Sequence, residues 1–487
     1  QRRTEIAVSL DNPDRIVALA TGSANNGSGL YGVYVSDNQG ESWEFRCCGN
    51  QPAGIPSAEN INLMGWSHEG LDDGGQYYYD LALAINPNNA DNIHVGGVNH
   101  WVSNDGGYTF TCPSKWSWAG DDENTKYVHA DIHDIKYYGN DLWIACDGGI
   151  FYSNNQGDTI HQRMFGIAGT DFWGFGAGFS DGDVMIGGTY HNATLLKDNN
   201  TYLQGDTLEG TNELGGWVSV CGGDNYRGFV NFGDSRKVYL DEWDSGGGYI
   251  LSGDRTIPLE GFPMSVLSNA SYTTGRSSNL EFDPRCYNII YIGNGNILYK
   301  SYNNGYSAIP LYEFNDNVTS IEVGWNNPDL IYVATYNSYE ANVWKSNDAG
   351  ISFVNVTDSL ISQFSIILND EWIPYDITLS SENDSIVWLA RCPSSLDYDS
   401  YQGNQIYVSN DQGENWENIT GSGLTGENIT NIEYHRGSNG GVYIGTRRNV
   451  YYKNDTMTDW VLFNNGLPAS TYSTQLVPYY KEEKLKN

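Results

Sequence analysis

The feature that most limits how this chain can fold is an eight-residue phrase that returns along its length. It reads Ser36-Asp37-Asn38-Gln39-Gly40-Glu41-Ser42-Trp43, then Ser103-Asn104-Asp105-Gly106-Gly107-Tyr108-Thr109-Phe110. Ser346-Asn347-Asp348-Ala349-Gly350-Ile351-Ser352-Phe353 and Ser409-Asn410-Asp411-Gln412-Gly413-Glu414-Asn415-Trp416 repeat it. Ser153-Asn154-Asn155-Gln156-Gly157-Asp158-Thr159-Ile160 has an aliphatic residue in the aromatic slot, and Ser301 to Ser307 and Lys453 to Trp460 are eroded copies. The pattern describes a tight turn. The Asp or Asn bonds N–H groups of its own turn, the Gly accepts positive φ, and the aromatic returns on the next strand to pack beneath.

Upstream of most copies stands an apolar strand, an Asn/Asp-Pro turn and a second β-rich strand, as in Val8 to Pro13 followed by Ile16-Val17-Ala18-Leu19-Ala20, or Ile321 to Pro328 followed by Leu330-Ile331-Tyr332-Val333-Ala334. Each unit is therefore strand, Pro turn, strand, strand, Gly turn, strand. Four short antiparallel strands per ~45–65 residues make a propeller blade. The turn positions fall near Ser36, Ser103, Ser153, Lys197, Ser252, Ser301, Ser346, Ser409 and Asn454, the fourth and fifth placed by spacing and strand pattern alone. These marks predict an all-β propeller over 1–487, as one large ring of nine or ten blades or as two packed smaller propellers. The insertions at 47–79 and 113–126 are expected as loops on one face, where propellers carry binding surface.

Composition removes other classes. The 487 residues carry 60 acidic and 25 basic side chains, a net charge of −35 with only 17% of residues charged. That balance repels phosphate backbones and anionic lipid, so neither nucleic acid nor a membrane is an expected partner. A hydrophobic content of 39% with 14% aromatic residues forms cores and excludes disorder. No apolar run approaches the ~18–20 residues of a spanning helix. The start at Gln1-Arg2-Arg3-Thr4 lacks an apolar leader and the end at Lys481 to Asn487 is abrupt, so the chain reads as a segment of a longer one. Its seven cysteines form no C-x-x-C pair. Cys47 or Cys48 and Cys112 follow equivalent turns in successive repeats, so a Cys48–Cys112 disulfide and buried free thiols are both open readings.

The turn phrase resembles the Asp-box, or BNR repeat, of sialidases, xyloglucanases, sortilin-type receptors and a photosystem II assembly factor, a resemblance that specifies fold and leaves function open. More narrowly, Tyr79-Asp80-Leu81-Ala82, Val128-His129-Ala130-Asp131-Ile132-His133, Cys146-Asp147-Gly148-Gly149-Ile150, Gly187-Gly188-Thr189 and Gly222-Gly223-Asp224 resemble secreted sortilin-like BNR proteins of Bacteroidota. Many of those are exported by type IX secretion, which implies an extracellular or cell-surface location and further domains of the same chain as partners. One departure stands out: Tyr190-His191-Asn192 follows Gly187-Gly188-Thr189 where the resemblance leads one to expect Gln-Asp-Asn. Asp-Ser/Thr-aliphatic triplets such as Asp358-Ser359-Leu360 are similar to the O-glycosylation sequon of that phylum.

Several constellations carry chemistry. His129, Asp131 and His133 alternate, so on a strand all three share a face and would offer a divalent metal three ligands; a polar cluster among blades is the competing reading. Asp80, Asp131, Asp147 and Asp224 hold corresponding positions in different blades, so two of them would reach the ~5–10 Å separation of glycosidase carboxylates. Sialidase chemistry needs convergent arginines, one in an Arg-Ile-Pro segment that is missing from this sequence. Trp66, Tyr77, Tyr78, Trp116 and Trp118 in the insertions, with His191, are candidates for stacking on a sugar or anchoring a protein. Packing between blades competes for the same aromatics. The expected function is a non-catalytic protein- or glycan-binding propeller that requires no cofactor. The alternative is a polysaccharide-active glycoside hydrolase resembling xyloglucanases, with two aspartates as acid and base.

Overall fold

The computed structural model describes residues 2–22, 29–49, 55–116, 126–164, 167, 170, 172–189, 194–198, 217–221, 225–242, 246–250, 260–263, 279–337, 340–358, 360, 375–392 and 406–480. The chain forms two compact units, Gln1–Gly169 and Thr170–Asn487. Both are built from consecutive antiparallel sheets whose strands pair in sequence order, the blades of a β-propeller.

The first unit holds sheet 1 (Thr4–Val8, Ile16–Thr21, Leu30–Ser36, Glu44–Cys47), sheet 2 (Ala82–Asn86, Asn89–Gly96, His100–Ser103) and sheet 3 (Ile132–Tyr138, Asp141–Cys146, Gly149–Ser153, His161–Gln162). Sheet 2 keeps a vestige of its fourth strand, because Val102 and Thr111 exchange backbone hydrogen bonds of 2.8 and 2.9 Å. The second unit holds sheet 4 (Phe172–Ala177, Met185–Thr189, Thr194–Lys197, Trp217–Cys221), sheet 5 (Asn225–Val230, Lys237–Glu242, Gly246–Ile250, Glu260–Pro263) and sheet 6 (Asn279–Phe282, Ile290–Asn294, Ile297–Ser301, Ile309–Glu313). Sheet 7 (Asn317–Val323, Ile331–Asn337, Glu340–Ser346, Val354–Asn355), sheet 8 (Tyr375–Leu379, Val387–Arg391, Ile406–Ser409, Glu417–Asn418) and sheet 9 (Ile429–Tyr434, Val442–Thr446, Val450–Lys453, Val461–Leu462) complete it. The turn positions read from the sequence fall at the end of the third strand of a sheet or just after it, Lys197 included, while Ser252 lies outside the described residues.

The turn works by one set of bonds, repeated. In the first copy the buried Ser36 hydroxyl accepts the Gly40 N–H at 2.8 Å and donates to Asn38 Oδ1 at 2.9 Å, while Asn38 Oδ1 accepts the Ser42 N–H at 2.9 Å. Ser103, Ser153, Ser301, Ser346 and Ser409 make the same bonds to their own Gly and Asp or Asn. Gly350 has φ of 88° and the preceding Ala349 59°, so two successive left-handed residues reverse the chain. The aromatic slot varies: Phe110 and Trp416 are buried, Phe353 is half-buried, and Trp43 is 43% exposed, lying along the outside of its turn.

Second strands are the most deeply buried. Val387–Arg391 is buried at every position, because sheets cover it on both faces, whereas the two-residue fourth strand Val461–Leu462 is exposed. First strands have a free edge toward the next sheet, and its N–H groups need partners. Side chains supply them: Leu379 N donates to Glu322 Oε1 at 3.2 Å, Ile432 N to Asp376 Oδ2 at 3.0 Å and Tyr434 N to Thr378 Oγ1 at 3.1 Å. The loops between first and second strands in the second unit also share one closure, with bonds from Gly178 to Val184, Asn231 to Lys237, Asp283 to Ile289, Gly324 to Leu330, Ser380 to Ile386 and His435 to Gly441, of 2.8 to 3.1 Å.

The disulfide expectation is corrected. Cys48 is bonded to its neighbour Cys47, and Cys112 keeps a free thiol that donates to the Ser114 carbonyl at 3.1 Å. Both paired cysteines are buried in the core of the first unit, where the adjacent side chain is within bonding reach of Cys48. No helix among the described residues is long and apolar enough to cross a membrane.

Candidate functional site

The insertion that carries most of the candidate aromatics is pinned to the first unit by three amide or carboxylate side chains. Asn62 Oδ1 accepts from Leu30 N at 3.0 Å and Met64 N at 3.1 Å, while its amide donates to the Asp72 and Gly74 carbonyls at 2.9 and 2.8 Å. Asp72 accepts from Trp66 N and Ser67 N, both at 2.8 Å, and the Asn99 amide donates to the Gly65 carbonyl at 2.9 Å. Leu63 and Met64 enter the core beneath. The loop is thus a fixed platform, and it holds Trp66 49% and Tyr78 71% exposed.

Tyr77 is a correction. It is 7% exposed and packed in the core cluster with Leu63, Met64, Leu81 and Trp101, because the turn that begins at Gln76 puts its side chain inward and leaves Tyr78 in the outward position. Trp116 is half-buried beside His68, with ring centroids 6.1 Å apart, and its indole donates to the Trp66 carbonyl at 3.4 Å. Trp118, His191 and Asp224 lie outside the described residues.

Three of the four candidate aspartates come together in the first unit. A turn at 76–80, closed by Tyr79 N to the Gln76 carbonyl at 2.7 Å, places Tyr79 and Asp80 side by side ahead of sheet 2. The Gln76 amide bridges two carboxylates, donating to Asp131 Oδ1 at 2.5 Å and to Asp80 Oδ2 at 3.4 Å. Asp131 precedes the first strand of sheet 3 in a left-handed conformation, φ 63°, and its carbonyl accepts the Asp147 N–H at 3.2 Å. Asp147 follows the second strand of that sheet. Its carboxylate accepts from Tyr79 OH at 2.9 and 3.0 Å and lies 2.6 Å from His133 Nε2.

The backbone explains why His129, Asp131 and His133 do not form a ligand set. Strand alternation begins only at Ile132, after the left-handed Asp131, and a bulge between Ile132 and Asp134 leaves His133 unpaired and thrown outward. His129 bonds through Nδ1 to the Ala130 carbonyl at 3.2 Å and packs so tightly on Gly148 that a Cβ there would come within 2.3 Å of it. Among the described residues no three His, Cys, Asp or Glu side chains gather as metal ligands.

The carboxylates differ in environment. Asp80 is 1% exposed, and burial, reinforced by the Asp131 charge, pushes its carboxyl up to about 7. Asp147 reaches the surface beside Tyr79, which is 49% exposed. Burial and then the bond to Asp147 push the Tyr79 phenol up to about 12, so it remains a hydrogen-bond donor throughout the physiological range. The site therefore presents an aromatic ring, an imidazole and a carboxylate outward, over a buried acid that is half-protonated near neutrality. Gln76 and Tyr79 are the residues that sequence reasoning missed as contributors. The signal was the adjacency of Tyr79 to Asp80, but only folding brings them to Asp131 and Asp147.

No family profile matches this chain, and no curated protein matches it. Among solved structures, a GH74 enzyme of Niastella koreensis aligns with 94% of this chain and 77% of its own at 11% identity and a TM-score of 0.31. YCF48 from Cyanidioschyzon merolae aligns with 75% and 92% at 14% identity and 0.32. The Cps50 (Swd1) β-propeller domain of Myceliophteria thermophila aligns with 64% and 92% at 8% identity and 0.36. Nothing about the chemistry of the present site is taken from them.

Proposed function

We propose that this chain is a non-catalytic binding module that takes a protein or glycan ligand on the loop face of its first unit. The reading places it among sortilin-like Asp-box propellers, in a secreted or surface-attached bacterial protein with further domains as partners, without nucleic acid, membrane insertion or a required cofactor. The repeated Ser-Asx-Gly turn supports the Asp-box part of this reading. The observation that carries the binding role is the surface trio of Tyr79, His133 and Asp147. An exposed ring beside a carboxylate and an imidazole suits a ligand that offers an apolar face flanked by hydroxyl or amide groups, and the pinned loop beside it costs little ordering on binding.

One observation favours a second reading, a glycoside hydrolase. Asp80, raised to about 7, shares the Gln76 amide with Asp131, and neighbouring carboxylates of which one keeps its proton are how acid and base are divided. Against it, Asp80 is 1% exposed and an acid must touch the bond it protonates. A glycan and peptide array run beside a hydrolysis assay separates the two. Binding that is lost with Asp147→Asn, without product release, supports the module. Sugar release abolished by Asp80→Asn or Asp131→Asn overturns it.

A further inference from the structure

In the second unit the first-to-second-strand loops of sheets 4, 5, 7 and 9 bring corresponding residues, Phe179, Phe232, Trp325 and Arg436, to one place. The Arg436 guanidinium carbon stacks 3.3 Å over the Trp325 ring and lies 4.5 and 5.4 Å from the Phe179 and Phe232 centroids. A further ring joins them from outside any sheet. Tyr480 packs on Phe179 at 4.6 Å, its OH accepts the Arg436 N–H at 2.9 Å, and its own N–H donates to the Phe179 carbonyl at 3.0 Å.

Tyr480 arrives there because 473–480 is laid out as a first strand. It follows Ser473 at the interval that separates Val318 from Trp325 and Phe172 from Phe179. Val318 enters sheet 7 by packing on Gly293 of sheet 6, where a Cβ would come within 2.4 Å of it, and Ser473 packs in the same way on Gly445 of sheet 9, at 2.5 Å. Each bonds back to the sheet before it, Val318 N to the Gly295 carbonyl at 2.8 Å and Ser473 N to the Thr446 carbonyl at 3.0 Å. Toward the sheet that follows, Gln475 Oε1 accepts Phe175 N of sheet 4 at 2.9 Å, as Asp376 Oδ2 of sheet 8 accepts Ile432 N of sheet 9 at 3.0 Å. The segment therefore fills the first-strand place between sheet 9 and sheet 4.

No second strand pairs with it among the described residues. The backbone N–H groups of Gln475, Leu476 and Val477 have no acceptor there. Sheet 9 shows the same vacancy from its side. The second residue of the second strand is covered by the next sheet in earlier cases, Ile186, Tyr291 and Tyr332 being 0% and Trp388 5% exposed. Tyr443 holds that place in sheet 9 and is only half-buried.

We propose that the edge of 473–477 is a peptide-binding site, which takes an extended segment of another polypeptide by antiparallel addition as the second strand of an incomplete sheet. The neighbouring second strands show what fits: Ile290-Tyr291-Ile292-Gly293, Ile331-Tyr332-Val333-Ala334, Val387-Trp388-Leu389-Ala390 and Val442-Tyr443-Ile444-Gly445 all read aliphatic, aromatic, aliphatic, small. Aliphatic residues of the incoming strand cover Tyr443, as Ile331 and Val333 pack in one cluster with Tyr291. The small residue leaves room of the kind that Gly293 leaves for Val318. Main-chain bonds to the free N–H groups supply affinity, and the alternating side chains supply selection. This site is additional to the loop face of the first unit.

The test adds to the intact chain a peptide that copies Ile331–Asn337, given acidic flanks so that the net charge of −35 cannot attract it, beside a scrambled peptide of the same composition. Saturable binding of the copy alone, with roughly tenfold slower hydrogen exchange at 475–477, supports the site. Leu476→Pro, which removes one edge N–H, should weaken that binding about tenfold or more with unchanged circular dichroism. Absence of saturable binding, equal binding of the scrambled peptide, or protection that falls elsewhere overturns the proposal. Dimerisation of the chain through 473–477 without added peptide also overturns it, since the occupant is then a second copy. Exchange on the unmodified protein decides even if the variant does not fold.

Discussion

Tyr79 and His133 meet edge to face, ring centroids 4.8 Å apart, and both bond the carboxylate of Asp147 between them. One comes from the turn before sheet 2 and the other from a bulge in sheet 3, so the contact ties the insertion to the strand ends and leaves one edge of each ring in solvent.

If that trio holds the ligand, Tyr79→Phe should weaken binding about ten- to hundredfold, the loss of a hydrogen bond to a charged group being worth about 1.5–3 kcal/mol. Asp147→Asn should weaken it at least as much, since it also frees His133. Titration calorimetry on an array hit, with unchanged circular dichroism, checks both. An unaltered Kd for Asp147→Asn would place the ligand elsewhere.

Asp80 predicts a pH dependence of the first unit. Its carboxyl is raised from the usual aspartate value to about 7, so the folded state binds a proton that the unfolded state has lost, and this contribution to stability falls as pH rises from about 4 to about 7. Asp80→Asn should therefore match the parent at pH 4 and exceed it at pH 8 by on the order of 2 kcal/mol, measured by denaturant unfolding. A variant less stable at pH 8 would mean that the ionised carboxylate is needed.

The buried pair His94 and His100 gives the opposite slope. Their rings stack 5.2 Å apart with Nδ1 and Nε2 at 3.0 Å, Tyr137 OH lies 2.9 Å from His94 Nε2, and burial holds both imidazoles neutral, His100 down to about 4. Folded values below the unfolded one mean that stability is lost as pH falls below about 6.5. Acid unfolding followed by near-ultraviolet circular dichroism should show the loss, and His100→Gln should flatten the profile between pH 6.5 and 4 whatever its effect at neutrality.

The turn serine is expected to matter more than the turn carboxylate. Ser346→Ala leaves the buried Gly350 N–H without its acceptor at 2.9 Å and should cost about 1–3 kcal/mol. Asp348→Asn keeps the acceptor for Ser352 N and, on an exposed turn, should be nearly neutral at pH 7. Hydrogen bonds from Ser352 hold the Asp348 carboxyl down at about 2, so the small advantage of the carboxylate over Asn is present above about pH 4 and fades as pH falls toward 2, where thermal melts of the two should converge. A costly Asp348→Asn would reverse this ranking.

The blade turns were legible because a turn is local: Ser, Asx and Gly act on backbone within four residues, so their spacing alone implies the bonds. Asp80, Asp131 and Asp147 were legible as carboxylates at corresponding positions of which two would meet, and His133 only as a member of the alternating cluster with His129 and Asp131. Gln76 gave no signal, since an amide that bridges two carboxylates is recognisable only once both are beside it. The metal triad failed for a local reason with a tertiary cause. The alternation of His129, Asp131 and His133 assumes an unbroken strand, and Asp131 turns left-handed where its chain docks on sheet 2, with Ile132 N bonding the Gly97 carbonyl at 2.9 Å.

By itself, then, the repeating sequence determined the four-stranded units, their order and the places of their turns, because each rests on contacts close along the chain. Packing decided which side chains lose water and which meet, so Tyr77 went inward, Tyr79 outward, and Gln76 came to rest between Asp80 and Asp131. Those outcomes depend on residues far apart in sequence, and desolvation and charge act through space.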